Sequence, residues 1–244
     1  MMKAERVLIF YKYKKSTLNT IIFAATALEL QAAEAAMAAW RHQYPQTPLQ
    51  IRGVVSGIGA TATAYHCTRA FLQAPEPIDL AINIGIAGTF WPDRPLGAVY
   101  RLRGDYFGDL GIQTARGFES LFDADILDAY TFPFRGGMLT PAPLQPEQEA
   151  ALAEIPCATG VTVQRIVEEN TSESHPFPGP VTDVETMEGA AFFYVCLCEK
   201  IPCLSLRAIS NRVGERDKSK WNIPLALQQL EATLKNLSPL VINP

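Results

Sequence analysis

The chain has 244 residues, 48% hydrophobic and 19% charged, with a formal net charge of −4 at pH 7. That length and apolar content suit one large α/β domain with a sizeable core, and exclude a chain disordered by composition. The acidic balance, without a long basic run, argues against nucleic acid or a membrane surface as partner, although a local arginine could still hold a small anion.

Residues 1–18 read as an N-terminal extension ahead of a domain spanning 19–244. An edge strand over Arg6–Tyr11 and partial disorder are both open for it. Lys12, Lys14 and Lys15 lead into no signal-peptide stretch, and charges or prolines interrupt every apolar run before membrane length. The segment Thr20–Thr26 is apolar on both faces, as a buried parallel strand should be. An Ala-rich helix follows, with Leu30, Ala33, Met37 and Trp40 in one stripe.

Further strands are expected at Leu49–Val55, Ile78–Ile84, Gly97–Arg103, Gly160–Val167 and Cys203–Ile209. Between them lie helical faces. One is Ala60, Ala64, Cys67 and Phe71; another is Met187, Ala190, Ala191, Tyr194, Val195 and Cys198. The last is Leu227, Leu230, Leu234 and Leu237, with Pro224 in its first turn. Thr131–Pro146 and Ser172–Pro180 read as Pro/Gly-rich loops. Alternating strands and helices predict an α/β fold: a mostly parallel or mixed central β-sheet with helices on both faces and ligands at the strands' carboxyl ends.

Five cysteines, an odd number, suggest reduced thiols inside a cell. Cys196 and Cys198 point to different faces of a helix and read as core packing rather than a metal pair. His42, His66 and His175 form no ligand motif, so no bound metal is expected.

Four segments could carry chemistry. Ala24–Glu29 puts a carboxylate just past the first strand; taken alone, Glu29 is better read as a first-turn acid favoured by the helix dipole. Asn83–Thr89 closes an apolar strand with Gly85 and Gly88, which either admit a ligand to the backbone or make a tight turn. Its spacing is neither GxGxxG nor a P-loop. Val184–Ala191 places Glu188 at a helix start among small residues, again either a site or a dipole complement. Arg207–Asp217 leaves a buried strand for a polar loop, where Asn211 could read a base edge or make an Asx turn.

Together and in this order, these segments resemble the nucleoside phosphorylase/nucleosidase superfamily, over roughly residues 20–237. The most specific pieces are Ser56-Gly57-Ile58-Gly59, Asn83-Ile84-Gly85-Ile86-Ala87-Gly88, Met187-Glu188-Gly189-Ala190-Ala191 and Arg207-Ala208-Ile209-Ser210-Asn211. Gly108-Asp109-Leu110-Gly111 and the Arg216-Asp217…Trp221 tail are similar to its futalosine hydrolase branch.

The resemblance implies a cytoplasmic N-glycosidase without a cofactor. Its partner would be a small-molecule purine nucleoside, and it would form a homo-oligomer. Met187 and Glu188 would bind the ribose, and Glu29 would deprotonate water. Ala87 and Gly88 would lie beside that water and the sugar, with Ile58 and Ser210 as further substrate contacts. Hydrolysis is expected over phosphorolysis, because Ile84–Phe90 has no basic residue and Glu29 would repel phosphate. Asn211 stands where adenine-specific nucleosidases carry Asp. An amide cannot deliver a proton but can donate to O6 or N7 of a 6-oxopurine, which points to hypoxanthine and to futalosine, in menaquinone biosynthesis. Phe118 and Phe122 are candidates for an apolar 5′ slot, and Arg212 or Arg216 for its carboxylate. The competing readings are an adenine-specific methylthioadenosine/adenosylhomocysteine nucleosidase, a purine nucleoside phosphorylase, and a non-catalytic nucleoside binder.

Overall fold

The computed structural model describes residues 18–47, 49–115, 117–167 and 182–240. The expected readings of Arg6–Tyr11, Ser172–Pro180 and His175 lie outside them.

The chain runs β1 (Thr20–Ala24), α1 (Ala27–Gln43), β2 (Ile51–Val55), α2 (Ala60–Leu72), β3 (Leu80–Thr89) and β4 (Val99–Phe107). A small hairpin follows, β5 (Gly111–Thr114) and β6 (Gly117–Ser120), then α3 (Pro146–Ala151), β7 (Cys157–Thr162) and β8 (Val184–Thr186). It ends with α4 (Gly189–Cys198), β9 (Cys203–Arg212) and α5 (Ile223–Lys235). The main sheet has the order β2-β1-β3-β8-β7-β4-β9. β9 also returns to pair with β3 in parallel, so β3, β8, β7, β4 and β9 close on themselves and β1 and β2 form a wing. The sheet is mixed: β8 on β3 and β4 on β9 are antiparallel, the other pairings parallel.

Successive strand residues serve opposite cores, because side chains alternate across a strand. Ile22, Ala24, Ile82, Leu204 and Leu206 pack with Leu30, Ala33, Met37 and Trp40 of α1 and Leu230 and Leu234 of α5. Ile21, Phe23, Ala81 and Ile209 pack with Cys67 and Ala70 of α2 and Ala190, Phe192, Phe193 and Cys196 of α4. This two-sided burial is why the strands read as apolar runs and why helices lie on both faces, as expected.

The differences have physical causes. The segment Asn83–Thr89 does not turn: β3 continues through it, because β9 pairs along its whole length, from Ala81↔Cys203 to Thr89↔Arg212. For the same reason β9 runs to Arg212 instead of stopping at Ile209. The expected strand Gly160–Val167 is shifted to Cys157–Thr162. The short β8 and the β5–β6 hairpin carry too few residues to give a periodic signal. α4 has no single apolar stripe. It packs on α2, β4 and β7, which buries Phe192, Phe193 and Cys196, while Tyr194 and Cys198 face outward. Cys198 is therefore not core packing. All five cysteines are free.

Trp40, fully buried, links α1 to the end of α5: its indole N–H donates to the Lys235 carbonyl at 3.0 Å. Trp40→Phe removes that donor and part of the ring. A loss of about 1–3 kcal/mol in urea unfolding is expected, with activity retained, since the contact lies away from the strand ends described next.

Candidate active site

The carboxyl ends of β1, β3, β8 and β9 converge on one cavity of about 330 Å³. Glu29 enters it from the first turn of α1. Thr26 is the N-cap, and the pair makes a capping box: Thr26 Oγ1 accepts from the Glu29 amide at 3.2 Å, and Glu29 Oε2 accepts from the Thr26 amide at 3.0 Å. Thr26 Oγ1 also donates to Oε2 at 2.8 Å, and Oε1 accepts from the Ile86 amide of β3 at 3.1 Å. Glu29 therefore has the helix-start geometry and lines the cavity as well. Three of about four acceptor sites of the carboxylate are taken, leaving one for a ligand or water. Gly85 makes room for it, since a Cβ there would sit 2.8 Å from Oε1.

Glu188 occupies the N-cap of α4, with its side chain turned away from the helix. Its Oε1 accepts from the Gly59 amide at 3.0 Å. Gly59 holds φ at 90°, the left-handed region open to glycine, and this aims its amide at the carboxylate. The neighbouring Met187 carbonyl accepts from Gln164 Nε2 at 3.4 Å, while Gln164 Oε1 takes the Ala60 amide at 3.0 Å. Gln164 thus ties the Ile58 loop to the Met187–Glu188 segment.

Behind both acids lies Arg207, on β9 opposite Gly85 and 1% exposed. Its guanidinium donates to Asn83 Oδ1 and to the Leu206 carbonyl. Its Nε has no protein acceptor among the described residues. Burial lowers the guanidinium pKa, while Glu188, Glu29 and Asp105 hold it up. Burial pushes the Glu188 carboxyl above its ordinary value and Glu29 adds to that, while Arg207 and the Gly59 amide pull it down.

A register shift between Ala87 and Gly88 lets Ser210 bulge out of the β3–β9 ladder. Such bulges re-aim side chains. Here Asn211 faces the cavity with Oδ1 accepting from Ser210 Oγ at 2.7 Å and Nδ2 donating to the Arg212 carbonyl at 2.8 Å. Ser210 Oγ also approaches the Ala87 carbonyl at 3.3 Å.

The cavity therefore brings together Glu29, Ile58, Ala87, Gly88, Met187, Glu188, Ser210, Asn211 and Arg216. Phe118 is not in it. It sits on the β5–β6 hairpin, a separate two-stranded sheet among the described residues, and packs over Gly111. Phe122 is also elsewhere, edge-on to Phe134 at 5.2 Å. The apolar wall comes instead from Leu28, Ile166, Trp221, Ile223 and Leu227. Arg212 is not free for a carboxylate, because it donates to the carbonyls of Trp91, Pro92 and Arg94. Arg216 lies at the mouth, 5.8 Å over the Trp221 ring.

Sequence reasoning gave no role to Arg207 or Gln164. A charge inside the buried run Cys203–Ile209 was the available signal for Arg207, since arginine is seldom fully buried unless paired. Among the described residues no group of three or more His, Cys, Asp or Glu is placed to hold a metal, and no helix is long and apolar enough to cross a membrane.

Residues 49–241 match the phosphorylase superfamily. The futalosine hydrolase of Streptomyces coelicolor is 32% identical over 191 residues, covering 78% of this chain and 77% of that one. The chain belongs to the phosphorylase superfamily and, within it, to the futalosine hydrolase family. Two solved structures share the fold. The native futalosine hydrolase of Helicobacter pylori has a TM-score of 0.64 at 16% identity, covering 90% of this chain and 97% of that one. The 5′-methylthioadenosine/S-adenosylhomocysteine nucleosidase of Neisseria meningitidis, in complex with methylthio-immucillin-A, has a TM-score of 0.68 at 15% identity, covering 90% and 98%.

The charge arrangement sets the pH response. If the ionised Glu188 carboxylate is the working form, activity falls as acid neutralises it, and a raised pKa moves that fall to higher pH. The acid limb of kcat/KM should therefore include a step above the ordinary glutamate value of about 4.3, and Glu188→Gln, which has no carboxyl at that position, should lose that step.

Proposed function

We propose that this site hydrolyses the N-glycosidic bond of futalosine, releasing hypoxanthine and dehypoxanthine futalosine. The observation that carries the reading is the pair of buried carboxylates, Glu29 and Glu188, opening into one cavity with Asn211 on a third side. The 32% identical futalosine hydrolase supports the choice of substrate.

In this reading Glu188 accepts hydrogen bonds from the ribose hydroxyls, and its charge favours the oxocarbenium-like sugar. The C1′–N9 bond breaks with its electron pair going to the base. Asn211 donates to the oxopurine as that charge grows. Glu29 uses its remaining acceptor site to hold water, takes one proton from it, and the oxygen bonds to C1′. Arg207 pulls the Glu188 carboxyl down towards its ionised form, but its guanidinium is 1% exposed and already donates to Asn83 and Leu206. It is poorly placed to receive a phosphate, which favours hydrolysis over phosphorolysis. The cavity's apolar wall, with Arg216 at its mouth, suits a 5′ substituent ending in a carboxylate. Cytoplasmic action as a homo-oligomer, in menaquinone biosynthesis, completes the proposal.

Two variants test it by steady-state kinetics on futalosine. Glu29→Gln should still bind nucleoside yet lose turnover by a factor on the order of 10²–10⁴; near-normal turnover would return Glu29 to the capping box alone. Asn211→Asp places lone pairs against O6 and N7. It should lower kcat/KM on futalosine and raise, relative to it, that on the 6-amino counterpart, by about 1–3 kcal/mol in the ratio. An unchanged ratio would refute base reading by Asn211.

A further inference from the structure

Glu188 stands at the N-cap of α4 yet caps nothing, since its carboxylate is turned to Gly59. The first amides of a helix have no intrahelical partner, and buried ones must find acceptors. Here two threonine hydroxyls from other strands serve. The Gly189 amide donates to Thr186 Oγ1 at 3.2 Å, and the Ala190 amide to Thr162 Oγ1 at 2.8 Å.

A hydroxyl that accepts an amide must send its own proton elsewhere. Asp105 of β4, fully buried, receives these protons. Thr162 Oγ1 donates to Oδ1 at 2.9 Å, Thr186 Oγ1 reaches Oδ2 at 3.5 Å, and the two hydroxyls lie 2.9 Å apart. Two glycines close over the group: a Cβ on Gly160 or Gly189 would fall 2.4 or 2.1 Å from Oδ2. Asp105 does not line the cavity, although Thr186 does, and no role in the proposed reaction uses it.

We infer that Asp105 is a positioning residue that orients the Thr162 and Thr186 hydroxyls to cap α4 from below, leaving the Glu188 carboxylate free to face the sugar. The inference rests on reading Glu188 as the ribose acceptor. Without the cap, the buried Gly189 and Ala190 amides lose their acceptors, and Glu188, already at the N-cap, would swing back into the capping role that acidic side chains favour. The role needs acceptor oxygens rather than a charge. Burial raises the Asp105 carboxyl to about 7 against the pull of Thr162, Arg207 and Thr186, and both of its forms can accept.

The test is kinetic, on futalosine and its 2′-deoxy analogue, with the melting temperature of each variant recorded. Asp105→Ala and Thr162→Val should raise KM for the riboside more than they lower kcat, and should shrink the preference over the deoxy analogue about tenfold, towards that of Glu188→Ala. Asp105→Asn, which keeps one of the two acceptor oxygens, should restore part of the preference, and Thr162→Ser, which keeps the hydroxyl, most of it. Should Asp105→Ala fail to fold, the Thr162→Val and Thr162→Ser pair decides alone. Equal losses on both substrates, with the preference abolished only in Glu188→Ala, would overturn the positioning role. An intact preference in Glu188→Ala would overturn the sugar-binding reading itself, and the inference with it.

Discussion

A guanidinium that is 1% exposed lies within electrostatic reach of Glu29, Glu188 and Asp105, and the rest of the site depends on it. Burial and the neighbouring Glu29 both work against ionisation of Glu188 in a mostly apolar cavity. Isolated buried charge is too costly to keep, and such groups usually neutralise instead. Arg207 offsets that cost from within the sheet, where β9 holds it opposite Gly85 and Asn83 takes one of its donors. Glycine at 85 is what permits the approach, since β3 and β9 are paired and neither can yield.

Around that charge centre the acids are oriented by different devices. Glu29 is fixed by its own helix: the capping box holds one oxygen and the Ile86 amide the other. Glu188 is held from outside its helix, by the Gly59 amide on one side and by a helix start capped through threonines on the other. Asn211 owes its aim to the bulge in β9, and the Ser210 hydroxyl beside it fixes its amide. Each device uses backbone amides or hydroxyls, which position a carboxylate without neutralising it.

Sheet closure makes these devices meet. β9 pairs with both β3 and β4, so Asn211, Gly88 and the β8 end carrying Glu185 share one rim. The hairpin β5–β6 stays outside that closure, which is why Phe118 is distant and the apolar wall comes from Ile166 and the start of α5 instead.

Much of this was legible in the chain. The alternation of doubly apolar strands with helical stripes was enough for an α/β sheet covered on both faces, because a buried strand must be apolar on both sides wherever helices cover it. The order of the short segments around Glu29, Gly85, Glu188 and Asn211 was enough for the superfamily and for most of the cavity, because those residues sit at strand ends where local sequence controls exposure. The continuation of β3 through Gly85 and Gly88 was not legible, since it depends on pairing with residues over 100 positions away. Nor was the capture of Arg212 by the carbonyls of Trp91, Pro92 and Arg94, or the burial of Asp105 beneath α4. A polar side chain in a sequence carries no mark of whether it meets solvent, a ligand or a distant backbone. Only the tertiary structure, by bringing remote donors and acceptors within 3 Å or so of each other, decides which it is.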